Sequence, residues 1–114
     1  MDGMAKQNDF PAEFCAERLK ALGDAHRLRI VTALRQGELT VSDLAGFLEA
    51  EMVTVSHHLQ ILKHASLVEV RREGRFMYYR LHPDLLSSKG PGQFLDLGCC
   101  RLEVPEEQAS LKKD

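Results

Sequence analysis

Apolar residues recur at helical spacing up to about residue 65 and then switch to the alternation of strands. Phe10, Phe14, Leu19 and Leu22 trace one face of a first helix, which Asp9 caps, Pro11 starts and Gly23 ends. Asp24 caps a second helix, whose Leu28, Val31 and Leu34 fall three apart and which stops at Gly37. Thr40-Val-Ser-Asp43 fits a capping box, a hydroxyl at the cap and an acid three residues on. It opens a short third helix carrying Leu44, Phe47 and Leu48. A fourth begins near Met52 and runs to about Ala65, with Val55, Leu59 and Leu62 on one face. Leu67-Val-Glu-Val-Arg-Arg72 and Phe76-Met-Tyr-Tyr-Arg-Leu81 then read as two strands joined by a Glu73-Gly74-Arg75 loop. In the second strand Met77, Tyr79 and Leu81 face inward, and Tyr78 and Arg80 outward. Pro83, Gly90, Pro91, Gly92, Gly98 and Pro105 break up any long helix beyond it.

This order predicts a mainly α fold with a β-hairpin wing, a winged helix-turn-helix over residues 9–83. Residues 1–8 read as a disordered lead. Residues 84–114 read as an irregular C-terminal segment with a disordered end.

Composition adds a class and a puzzle. With 114 residues, 44% hydrophobic and 28% charged, the chain suits one soluble globular domain. No apolar run approaches the roughly 18 residues that cross a bilayer. The start, MDGMAKQNDF, lacks the basic-then-apolar layout of a signal peptide. The expected location is therefore the cytoplasm, with no membrane partner. In such a reducing compartment three cysteines suit free thiols, ligands or redox sensors better than a disulfide framework. The net charge of −2 looks wrong for a nucleic-acid binder, but its distribution does not. Residues 52–90 hold six Lys/Arg against three Asp/Glu and four of the five histidines, between acidic flanks. Affinity for phosphate follows the charge that faces it, not the total.

Two short helices joined by a tight turn place the second where it can enter a major groove. With Val55, Leu59 and Leu62 buried, Thr54, Ser56, His57, Gln60 and Lys63 are left to face outward. Gln suits adenine, and Ser or Thr is permissive. Such a polar face is usually only solvated. The wing tip changes the balance, because Arg71, Arg72 and Arg75 fall within five residues and suit phosphates or a minor groove. The expected partner is double-stranded DNA. A winged helix serving purely as a protein-interaction module is the competing reading, and the net negative charge supports it. An enzyme is not expected, since there is no Gly-rich phosphate loop, nucleophile elbow or paired acid/base set.

Four runs resemble the ArsR/SmtB family of winged-helix repressors. They are Leu19-Lys-Ala-Leu-Gly-Asp-Ala-His-Arg-Leu-Arg-Ile30, Gly37-Glu-Leu-Thr-Val-Ser-Asp-Leu-Ala45, Val55-Ser-His-His-Leu-Gln-Ile-Leu62 and Gly74-Arg-Phe-Met-Tyr-Tyr-Arg-Leu81. The resemblance spans roughly residues 14–83. It implies a homodimer that binds a palindromic operator and leaves it when an inducer binds, commonly a metal ion or metalloid, sometimes a redox signal. It also implies that Ser56, His57 and Gln60 contact DNA from the recognition helix and Arg72 and Arg75 from the wing. His58 matches a histidine frequent at that place and is taken as a packing residue.

Two metal sites of the family do not carry over. Thr40 and Ser42 stand where one site has a Cys-x-Cys pair, and hydroxyls are poor ligands for soft ions. The other site needs histidines on a long C-terminal helix, yet no histidine follows His82. Cys15, Cys99 and Cys100 remain. Neighbouring Cα atoms lie about 3.8 Å apart, below the roughly 4.4 Å minimum of relaxed disulfides, so a 99–100 disulfide would be strained. Two adjacent thiolates can instead chelate a thiophilic centre such as As(III), Cd or Pb, with Cys15 as a third donor. The resemblance implies that the first helix and the C-terminal segment meet at the dimer interface. A thiol-redox switch is the alternative. Cys15, beside Phe14 on a helix, equally suits a small buried hydrophobe, and the pair could pack under Phe94, Leu95 and Leu97.

Overall fold

The computed structural model describes residues 12–86 and 94–103. Helices α1 (Ala12–Leu22) and α2 (Ala25–Leu34) lead into the two-residue strand β1 (Leu39–Thr40). Helices α3 (Val41–Leu48) and α4 (Met52–His64) follow, then strands β2 (Val68–Glu73) and β3 (Phe76–Leu81). A 3-10 turn over Pro83–Leu86 closes this part, and β4 (Phe94–Asp96) and β5 (Arg101–Glu103) form a second hairpin. The expected roles of Asp9, Phe10 and Pro11, the lead at 1–8, the breaks at 90–92 and Pro105, and the chain end lie outside the described residues.

The sequence signals for helix starts are met by geometry. The Asp24 carboxylate accepts from the His26 and Arg27 backbone N–H groups at 2.8 and 3.2 Å. Thr40 Oγ1 accepts from the Asp43 N–H at 3.1 Å, and Asp43 Oδ2 accepts from the Thr40 N–H at 3.0 Å, completing the capping box. Hydrogen bonding from Thr40, its backbone N–H first and its hydroxyl second, holds the Asp43 carboxyl below its ordinary value.

Strands β1, β3 and β2 form an antiparallel sheet in that order, with Thr40 opposite Tyr78 and Arg71 opposite Tyr78 on the other side. Gly74, at φ 64°, supplies the left-handed step of the wing turn. The core gathers Ile30 and Val31 of α2, Leu44 of α3, Val55, Leu59 and Leu62 of α4, and Leu67, Tyr79, Leu81 and Leu85. Leu95 and Leu97 from the C-terminal segment join the same cluster.

Several inward positions differ from the expected ones. On α1 the buried side is Cys15, Arg18, Ala21 and Leu22, whereas Phe14 and Leu19 are 46% and 43% exposed. Positions 15, 18 and 22 define the helix stripe that meets the core, and Phe14 and Leu19 fall beside it. Leu28, Phe47 and Met77 are also exposed, with Ile30 and Ala45 buried on their helices. Met77 sits near the wing tip, beyond the reach of the core, while Tyr79 and Leu81 face inward as expected. Part of the segment read as irregular pairs into the β4–β5 hairpin, around Gly98 at φ 93°. Asp96 Oδ1 accepts from the Gly98 N–H at 2.9 Å, and the Leu97 N–H donates to the Cys100 carbonyl at 2.8 Å, which closes the turn.

Candidate nucleic-acid interface and thiol site

Val55, Leu59 and Leu62 are fully buried, and this fixes the roll of α4. Thr54, Ser56, His57, Gln60 and Lys63 are all exposed on its other sides. Met52 and Val53, at the head of the helix, are exposed too. Sequence reasoning passed over these two because apolar residues at a helix start read as helix filler.

His58 turns inward. Its Nδ1 accepts from Arg27 Nη1 at 3.0 Å, since a guanidinium can only donate, and its ring stacks on His26 with centroids 5.4 Å apart. Burial is the main cause that pushes its pKa down, with Arg27, His26 and His57 adding to the effect and Asp24 opposing it. Asp24, His26 and His58 bring ligand atoms within 4.8 Å of one another. Yet Asp24 Oδ1 is used by two backbone N–H groups and His58 Nδ1 by Arg27, so this trio is wired to join α2 to α4.

On the wing the three tip arginines divide by role. Arg71 is braced by Glu38, at 2.7 Å, and by Glu73, at 2.6 Å, and its guanidinium lies 4.9 Å from the centre of the Tyr78 ring. The two carboxylates raise its pKa further, the hydrogen bond to Glu38 first. Arg80 pairs with Glu69 at 3.0 Å across the hairpin. Arg72 and Arg75 are exposed and make no ion pair among the described residues. Among the described residues of the middle region, Lys63 on α4 and Arg72 and Arg75 on the wing are then the Lys and Arg side chains without an ion pair.

The structure gathers the three cysteines. Cys15 is buried, and its sulfur is paired with that of Cys99 in a disulfide, with Cα atoms 6.1 Å apart at a sequence separation of 84. Cys100 Sγ lies 3.9 Å from Cys15 Sγ and 4.0 Å from Cys99 Sγ. Leu95 and Leu97 anchor the hairpin in the core, and the turn at Gly98 presents the vicinal pair to α1. A set of three sulfurs within 4.8 Å suits a soft ion and not a hard one. Such an ion needs all three as thiolates, so it excludes the Cys15–Cys99 bond.

One turn from Cys15, the buried side chain of Arg18 joins two parts of the fold. Its guanidinium donates to the carbonyls of Ala65 at 3.2 Å, Ser66 at 2.8 Å and Leu97 at 3.1 Å. Sequence reasoning did not single it out. Its only signal was a lone charge spaced three residues from Cys15 and from Ala21 on a helix side that turns inward.

A helix-turn-helix flanked by a three-stranded wing, with its second helix exposing a polar face, defines the winged helix-turn-helix class. Residues 24–70 match the family described as bacterial regulatory protein, arsR family. The transcriptional repressor SdpR of Bacillus subtilis is 37% identical over 67 residues, covering 59% of this chain and 74% of that protein. A cadmium resistance transcriptional regulatory protein CadC homolog from Staphylococcus aureus is 40% identical over 79 residues, 68% of this chain and 63% of its own length. A transcriptional repressor SmtB homolog from Synechocystis is 46% identical, and this chain covers 53% of its length. Among solved structures, the homodimeric winged helix-turn-helix DNA-binding domain of a possible ArsR-family regulator from Mycobacterium bovis is 38% identical with a TM-score of 0.65, covering 72% of this chain and 76% of that one. Reduced HlyU from Vibrio cholerae is 30% identical with a TM-score of 0.61, covering 72% and 82%. The chain belongs to the ArsR family of bacterial regulatory proteins.

Proposed function

We propose that this chain is a DNA-binding transcriptional repressor that acts as a homodimer on a palindromic operator and is released by an inducer at its cysteines. The observation that carries the first half is the division of α4. One side is locked into the core by Val55, Leu59 and Leu62, and Thr54, Ser56, His57, Gln60 and Lys63 are presented outward beside the unpaired wing cations Arg72 and Arg75. Ser56, His57 and Gln60 take the role of base readers, and Lys63, Arg72 and Arg75 that of phosphate contacts. The relatives named as repressors and the homodimeric DNA-binding neighbour support the same partner and assembly. No helix of the described residues is long and apolar enough to cross a membrane, and a cytoplasmic repressor is the reading adopted.

For the inducer, convergence of Cys15, Cys99 and Cys100 supports As(III) or another thiophilic metal ion bound by three thiolates. Relatives named as cadmium and arsenic resistance regulators support that class. A second reading is favoured by the Cys15–Cys99 pair. In it a peroxide takes two electrons and two protons from the two thiols, the disulfide forms, and the O–O bond breaks to leave two waters, or one water and one alcohol from an organic peroxide.

Fluorescence anisotropy of the reduced chain on duplexes from its own promoter region, across salt, tests the DNA half. Affinity should fall steeply as salt rises. Absence of salt-dependent binding overturns this reading in favour of a protein-interaction module. Titrating the bound complex with arsenite, cadmium, zinc and peroxide, read as release, then identifies the inducer.

A further inference from the structure

The row that α4 turns outward does not begin with a hydrogen-bonding residue. Val53, Ser56, His57 and Gln60 are spaced by three, one and three, so they stand in one line along the helix. The later members are polar. The head of the line is a valine with 78% of its surface exposed, and Met52 beside it is 53% exposed. Val53 lies about 200° around the helix from Val55, which is fully buried, so rolling the helix to hide Val53 would expose the core. Neither Met52 nor Val53 packs against the core cluster.

In a helix-turn-helix the N-terminal turn of the second helix is the part that meets base edges. The major groove offers hydrogen-bonding atoms at every base pair and one apolar group, the C5-methyl of thymine. An apolar head on a polar reading row is matched to such a methyl flanked by donors and acceptors. We propose that Met52 and Val53 read thymine methyl groups, so that each half-site carries thymine next to the base pairs that Ser56 and His57 contact. The inference rests on the DNA-binding reading above and adds a specificity that the polar residues alone cannot supply. Serine accepts most bases, whereas a methyl pocketed against valine and methionine distinguishes thymine from cytosine and uracil.

The experiment enriches duplexes from a random pool with the full reduced chain, then replaces each thymine of the enriched site singly with deoxyuridine. That change removes the methyl and leaves every hydrogen-bonding edge intact. Anisotropy titration at fixed salt should show about fourfold weaker binding at one or two positions in each half-site, the worth of one buried methyl. In Met52→Ala combined with Val53→Ala the thymine-to-uracil ratio should fall to one, and Val53→Thr should retain part of it. Both positions are exposed, so the variants fold, and equal melting temperatures verify it. A site without thymine, no deoxyuridine effect, or an effect that persists in the double variant overturns this inference alone. Failure to enrich any duplex overturns the DNA-binding reading, and this inference with it.

Discussion

Arg18 donates to the carbonyl of Ser66 at 2.8 Å, and so ties α1 to the residue just past the end of α4. The same guanidinium holds Ala65 and Leu97, so one side chain, 4% exposed, joins α4 to the C-terminal hairpin. A cation at a helix C-terminus also meets the negative end of the helix dipole.

Replacing Arg18 with Met leaves those three carbonyls without their donor. Stability should drop by about 2–4 kcal/mol, measured by urea unfolding of the reduced chain. Arg18→Lys should recover less than half of the loss, because a single ammonium cannot span the three acceptors. A loss below about 1 kcal/mol for the Met variant would show that water replaces the guanidinium.

The cysteines can be separated by single replacements. Cys100→Ser should abolish release from DNA by arsenite, which needs three thiolates, and leave release by peroxide intact, since Cys15 and Cys99 can still pair. Cys99→Ser with Cys100→Ser should abolish both and leave operator affinity unchanged. Normal release in the double variant would assign the cysteines to packing alone.

On the DNA side, His57→Ala or Gln60→Ala should cost roughly 1–3 kcal/mol on the operator and relax its sequence preference. Arg75→Ala should weaken binding to all sequences alike and lower the salt slope by about one. Arg71→Ala should change that slope less, because Glu38 and Glu73 already neutralise Arg71. Equal effects at 71 and 75 would show that the Arg71 brace opens on DNA.

Acid should expose the α3 cap. Asp43 is held below its ordinary carboxyl value by the bonds from Thr40, so its contribution is fully present above that ordinary value. It is lost as pH falls through the lowered one. Thr40→Ala removes the hydroxyl cap and the lesser cause of the shift, and leaves the backbone N–H of residue 40 donating to the carboxylate. It should cost about 0.5–2 kcal/mol at neutral pH, and the difference from wild type should shrink towards acid in urea melts taken from pH 7 down to 3. A pH-independent difference would mean that the hydroxyl alone caps the helix.

Much of the reading head was legible because local chemistry decides it. Asp24 and Thr40 cap where their side chains must, and the spacing of Val55, Leu59 and Leu62 forces the outward placement of Ser56, His57 and Gln60. The α1 face was misjudged for the opposite reason. Phe14 and Leu19 are more apolar than Arg18, but the buried stripe is set by what packs on the helix, here the carbonyls at the end of α4 and the β4–β5 hairpin. Strand β1 is two residues long and exists only through its pairing with Tyr78 and Tyr79, which no local pattern encodes. The hairpin at 94–103 was obscured by its glycines and its short strands. The grouping of Cys15 with Cys99 and Cys100 was suggested by thiol chemistry and a family likeness, but a separation of 84 residues fixes no distance.

Thr40 is at once the last residue of β1 and the cap of α3, so wing and reading head share a single covalent corner. In the proposed dimer, each protomer then carries its wing and its helices to a half-site as one unit. If two half-sites drift apart along a duplex, the slack must be taken up between protomers or in the DNA, and operator spacing becomes a readout of the dimer contact.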